Sequence, residues 1–151
     1  MKKITIPESV IVKKAQELFL KKGYRVALEV PFLERSIDLV YMDKAHNLIA
    51  IEFKWSNWKR ALIQASTHVY GASKVYICIP KPERLSEQLE DEIEDTLIGV
   101  LFFTFDEGTK KIEIETHKPA KKLENQWAPG RKWLREAFKQ REKGETKCCI
   151  A

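Results

Sequence analysis

Between Tyr24 and Trp55 apolar and polar residues alternate at the two-residue period of β-strands, in three runs separated by turn-forming residues. In the first run Tyr24, Val26, Leu28, Val30 and Phe32 form one set and Arg25, Ala27, Glu29 and Pro31 the other. Ile37, Leu39 and Tyr41 of the second run share a face with Ile49, Ile51, Phe53 and Trp55 of the third. The pattern predicts strands near 24–32, 36–42 and 48–55. On either side the period lengthens to that of helices. Pro7-Glu8-Ser9 opens a helix to about Lys22, with Ile11, Ala15, Leu18 and Phe19 on one face and Gly23 ending it. Ser56 or Asn57 caps a second helix through Tyr70, closed by Gly71, whose stripe is Trp58, Ala61, Leu62, Ala65 and Val69. Lys74 to Pro80 is almost continuously apolar, which suits a strand covered on both faces and entered by a crossover from the third strand.

The second half predicts an acidic helix from Glu83 to Asp95 and a hairpin of 98–105 with 111–116 around Asp106 to Thr109. Lys118 to Gly130 reads as an irregular linker. Arg131 to Arg141 is a last helix, with Trp133, Leu134, Ala137 and Phe138 inward and Arg131, Lys132, Arg135 and Lys139 outward. This order implies an α/β fold with a mixed central sheet flanked by helices. A chain of 151 residues has room for one such domain, taken as 1–143, with 144–151 as a flexible tail.

Charge changes the picture in one place. The net charge is +5, yet His117 to Lys143 alone carries nine Lys or Arg against three Glu, leaving the rest near neutral. Such a basic segment is the footprint expected of a phosphate-backbone partner. Lys121, Lys122, Arg131, Lys132 and Arg135 are therefore candidate nucleic-acid contacts, as is Arg60 on the second helix. Trp127 lies in the same basic segment, where a ring could stack on a base. No apolar run approaches the roughly 20 residues of a membrane span, and three cysteines suit a reducing compartment. A soluble, cytoplasmic protein is the expectation.

The candidate chemistry sits in the second and third strands. A turn centred on Ala45 sets Asp38 directly opposite Glu52 and Ser36 opposite Lys54. Like charges so placed repel across about 5 Å and destabilise a sheet. A divalent cation removes that objection, since Mg²⁺ binds one or two carboxylates together with waters and phosphate oxygens. A tight turn at Leu33-Glu34 would set Glu29 opposite Asp38, and Glu17 on the first helix is the competing third acid. Gln64 lies with Arg60 and His68 along one flank of the second helix.

These residues resemble the PD-(D/E)XK nuclease superfamily, the restriction-endonuclease-like and Holliday-junction-resolvase-like proteins. The signature is an acid on one strand followed, after a turn, by Glu-x-Lys on the next. Here Asp38 and Glu52-Phe53-Lys54 match it, while Ile37 stands where the family name has Pro. The resemblance covers roughly residues 8–80. It implies a core of helix, three-strand meander, helix and strand. It further implies Mg²⁺, with Mn²⁺ as substitute, held by Asp38, Glu52, a carbonyl at Phe53 and Glu29 or Glu17. Lys54 and Gln64 would complete a catalytic set for DNA hydrolysis, in a monomer or a homodimer. The alternative is a non-catalytic nucleic-acid-binding or assembly module that retains the nuclease fold.

Overall fold

The computed structural model describes residues 6–124 and 127–150. The elements run α1 (Glu8–Lys21), β1 (Arg25–Phe32), β2 (Arg35–Met42), β3 (Leu48–Phe53), α2 (Trp58–Ala65), a 3₁₀ turn (His68–Tyr70), β4 (Lys74–Pro80), α3 (Glu87–Glu94), β5 (Gly99–Asp106), β6 (Lys111–Lys118) and α4 (Ala128–Ile150). The six strands form one mixed sheet in chain order. β3, β4 and β5 run parallel, whereas β1–β2, β2–β3 and β5–β6 pair antiparallel.

Apolar side chains leave both faces of this sheet and need cover on each. On one face Ile11, Val12, Ala15 and Phe19 of α1 pack with Val26, Leu39, Ile49, Ile51 and Phe53. On the other, Ala61 and Ala65 of α2, Leu89 and Ile93 of α3, and Leu134 and Phe138 of α4 pack with Ala27, Val40, Ala50, Val75 and Ile77. β4 contributes to both cores, as its continuous apolar run requires. Among the described residues no helix is long and apolar enough to cross a membrane.

The alternation breaks at one point. Leu28 pairs with Leu39 and Val30 with Ile37, so the β1–β2 register is constant. Glu29 between them takes a left-handed φ of 48°, and the two strands turn over together. Val30, Phe32 and Ile37 therefore join the core under α2, not the α1-side face that the simple period assigns them. Leu33 and Glu34, both left-handed with φ of 49° and 65°, make the two-residue turn that pairs Phe32 with Arg35.

Helix boundaries also move, for local reasons. α2 stops at Ala65 because the hydroxyls of Ser66 and Thr67 donate to the Ile63 and Gln64 carbonyls, and the chain tightens into the 3₁₀ turn. α3 begins at Glu87, where Ser86 Oγ accepts from Leu89 N–H. α4 begins at Ala128, since Pro129 is tolerated in a first turn, and it continues past the expected tail boundary to Ile150. Trp133, expected inward, is exposed.

Gly99 opens β5 where nothing larger fits. A Cβ there would lie 2.4 Å from the Ala120 nitrogen, 2.5 Å from Tyr76 Cε1 and 2.7 Å from the Lys118 carbonyl oxygen. Two of those neighbours are backbone and cannot swing away. Gly99→Ala is expected to destabilise by about 1–3 kcal/mol, read as a lower urea midpoint with an unchanged m-value.

Candidate active site

The β2–β3 ladder runs Met42–Leu48, Tyr41–Ile49, Val40–Ala50 and Leu39–Ile51, the register that a turn at Ala45 dictates. Asp43 builds that turn, its Oδ1 accepting from the Ala45 and Asn47 N–H groups. Asp38 and Glu52 are the next opposed residues. There the backbone pairing ends, and the Phe53 N–H donates to Asp38 Oδ2 at 2.8 Å instead. The strands' turnover at Glu29 and Asp38 thus puts a carboxylate where a main-chain carbonyl would otherwise continue the ladder.

Glu52 is 5% exposed and His68 1% exposed, and His68 Nε2 meets Glu52 Oε1 at 2.8 Å. On the other side of the ring, Thr67 Oγ1 lies 3.4 Å from Nδ1. Burial, and after it the neighbouring Glu52 carboxylate, push the Asp38 carboxyl up to about 7, against a partial lowering by the Phe53 N–H. Two acids are held together here with too little water to screen them.

Lys54 follows directly, past the end of β3, its N–H donating to the Cys78 carbonyl of β4 at 3.1 Å. Across the gap stands Glu8, the first residue of α1, whose Oε2 accepts from the Trp55 N–H at 2.9 Å. Trp55 is itself fixed by Nε1 donating to the Ile6 carbonyl at 2.9 Å. Glu8, Arg35, Ser36, Asp38, Glu52, Phe53, Lys54 and Gln64 line a cleft of about 260 Å³. It opens at the carboxyl end of β3, the end at which parallel α/β sheets hold ligands.

The structure thus brings Asp38, Glu52, Phe53, Lys54 and Gln64 together and leaves other expected residues elsewhere. Glu17 lies nine residues beyond Glu8 on α1, about 13 Å along the helix axis, and is exposed. Glu29 is exposed at the left-handed kink and does not line the cleft. Arg60 is exposed on the first turn of α2, four residues before Gln64, outside the cleft lining. His68 is not on a solvated flank, because the break after Ala65 turns it inward.

The basic segment lies away from this cleft. Arg135 donates to the His46 carbonyl in the β2–β3 turn, and Arg131 to the Leu123 carbonyl. Leu123 N–H bonds the Ser73 carbonyl, and Ser73 N–H the Leu48 carbonyl at the start of β3. Lys121, Lys122, Arg131, Lys132 and Arg135 therefore belong to the amino end of the parallel strands. Four residue steps along β3, about 13 Å, separate Leu48 from Glu52 at the cleft end.

Glu8 and Arg35 escaped the sequence reading, which took His68 only as a flank residue of the second helix. Glu8 meets Trp55 across 47 positions, with no local pattern to announce it. Arg35 carried a signal: it precedes Ser36, already set opposite Lys54. Among the described residues no three His, Cys, Asp or Glu side chains gather closely enough to cage a metal. The site offers the two acids of one opposed pair, with Glu8 facing them.

His68→Ala is expected to strand a buried Glu52 oxygen without its partner and cost about 1–3 kcal/mol. Equilibrium urea unfolding at neutral pH reads the loss.

No protein-family model matches this chain, and no curated protein does. A solved structure of SPO1766, a protein of unknown function from Silicibacter pomeroyi, is similar in fold at a TM-score of 0.67 and 12% identity, over 97% of this chain and 94% of that one. That likeness is one of fold alone, and on this chain the fold is a mixed α/β one with a six-stranded sheet flanked by helices.

Proposed function

We propose that this chain is a metal-dependent nuclease of the PD-(D/E)XK class, hydrolysing phosphodiester bonds in DNA. The observation that carries the reading is the opposed pair Asp38 and Glu52 in a polar cleft, with Lys54 two residues along the same strand direction. The order α1-β1-β2-β3-α2-β4, with β4 parallel to β3, supports the restriction-endonuclease-like core that the resemblance implies.

The donors fit a hard divalent cation. All are oxygens: the carboxylates of Asp38 and Glu52 and the carbonyl of Phe53, with Glu8 across the cleft. Mg²⁺ takes one or two carboxylates and fills its remaining positions with waters and phosphate oxygens, so a cage of three acids is not required. Burial first, and the Glu52 carboxylate after it, raise the Asp38 carboxyl, and a bound cation would offset both. A bound Mg²⁺ or Mn²⁺ would polarise the phosphodiester and lower the pKa of a water.

The chain's own groups do the rest. The Lys54 ammonium offsets negative charge growing on the phosphate oxygens, and the Arg35 guanidinium on the same cleft wall suits bidentate phosphate binding. The Gln64 amide can both donate and accept, which suits it to orient the attacking water. His68 acts through Glu52, holding one carboxylate oxygen so that the other faces the cleft. No covalent enzyme intermediate is required.

A cation that binds only the folded state stabilises it by mass action. Mn²⁺ or Ca²⁺ is accordingly expected to raise the melting temperature of the wild type, and far less that of Asp38→Asn. Equal shifts in both proteins would put the cation elsewhere.

A further inference from the structure

The basic segment away from the cleft carries two tryptophans with no core to fill. Trp127 is 45% exposed and Trp133 51% exposed, and their rings meet edge to face, with centroids 4.8 Å apart at 88°. Two indoles at a right angle form an inside corner, in which a flat ring can lie on one face and abut the other. Gly130 holds the corner against the body of the protein. A Cβ on it would lie 2.2 Å from the Tyr70 carbonyl oxygen and 2.9 Å from the Trp127 ring. Tyr70 beside it is 52% exposed. Large aromatics left half in water are the anchors of binding surfaces.

Charge selects the occupant. From Lys121 to Arg135 the chain has five Lys or Arg and one Glu. Lys121, Lys122, Arg131 and Lys132 are all exposed in the same stretch of chain as the two tryptophans, and Arg131 reaches back to the Leu123 carbonyl next to Lys122. Planar rings for stacking within a cationic surround are what unpaired bases and their phosphates require. A duplex hides its base faces inside the stack and offers this corner only phosphates.

We infer that the Trp127–Trp133 corner, with Lys121, Lys122, Arg131 and Lys132, is a binding site for single-stranded nucleic acid at the end of the sheet opposite the Asp38–Glu52 cleft. The site goes beyond the nuclease reading and does not rest on it. A single strand stacks a base against the indoles and runs its phosphates over the lysines. In a nuclease, this would hold an unpaired strand apart from the cleft.

The test is a titration of the whole chain, in EDTA, with an oligothymidylate of about 16 nucleotides, followed by tryptophan fluorescence and by anisotropy of the labelled strand. Quenching is expected with wild type and equally with Glu52→Gln, which separates this site from the chemistry of the cleft. Trp133→Ala, whose exposed ring can go without unfolding the helix, is expected to weaken binding about tenfold or more, whereas Trp133→Phe keeps a stacking face and most of the affinity. Replacing Lys121 and Lys122 by Gln is expected to flatten the salt dependence by about 0.7 log units per lost contact. Unchanged affinity of a folded Trp133→Ala protein would overturn the inference. So would a blunt duplex bound as tightly as the single strand, or competition by oligoglutamate equal to that of the oligonucleotide, which would mark a dock for an acidic protein.

Discussion

Glu52→Gln is expected to lose cleavage by about 10²–10³-fold, the scale of removing one electrostatic contributor to a transition state, while melting at or above the wild-type temperature. The substitution keeps the shape of the side chain and leaves an amide oxygen for His68 to bond. It removes the charge a cation needs and relieves the repulsion with Asp38. The two readouts move apart for that reason. Rates at matched protein and Mg²⁺ concentration, beside a thermal melt of each sample, check it; wild-type cleavage by the variant would remove Glu52 from the catalytic set.

Asp38→Asn is expected to reshape the dependence of stability on pH. A carboxyl raised to about 7 in the folded state has a model-peptide value of about 3.9 when unfolded. The folded protein holds this proton more tightly, so the contribution is fully present below pH 4 and is lost as pH rises toward 7. Wild type, free of metal, should therefore lose stability across that window. The variant cannot ionise, and its amide still accepts from Phe53 N–H while donating toward Glu52. It should be more stable at pH 8, on the order of 2 kcal/mol after discounting for partial exposure, with a flatter profile. Urea midpoints at pH 4 and pH 8 decide it: parallel profiles for the two proteins would mean that Asp38 ionises normally.

The parts of the fold legible in the sequence are those fixed by short-range patterning. The Asp43–Asn47 turn determines every pair of the β2–β3 ladder, so the Asp38–Glu52 apposition could be read from residue numbers. The unbroken apolar run of β4 announced a strand between two layers. The turnover at Glu29 was not legible, because a left-handed glutamate has no sequence mark comparable to a glycine. His68 was misplaced for a related reason. Helical periodicity was carried past Ser66 and Thr67, whose hydroxyls compete for the carbonyls that would have continued the turn.

Long-range placement was the other gap. Net charge gave the sign of the C-terminal segment and nothing of its address. Its position follows from α4 crossing β1, where the Arg141 side chain donates to the Leu28 carbonyl and Arg25 pairs with Glu142. Glu8 came to the cleft the same way, through α1 packing over the sheet, at a distance in sequence that no spacing rule reaches.

The central claim, that the cleft hydrolyses phosphodiesters with a divalent cation, is tested most directly by incubating the purified chain with labelled duplex, branched and single-stranded DNA in Mg²⁺, Mn²⁺ and EDTA. The expected result is cleavage of at least one of these substrates in either metal and none in EDTA, with Glu52→Gln inactive alongside. Intact DNA in every metal lane, from protein that is folded and stabilised by Mn²⁺, would contradict it.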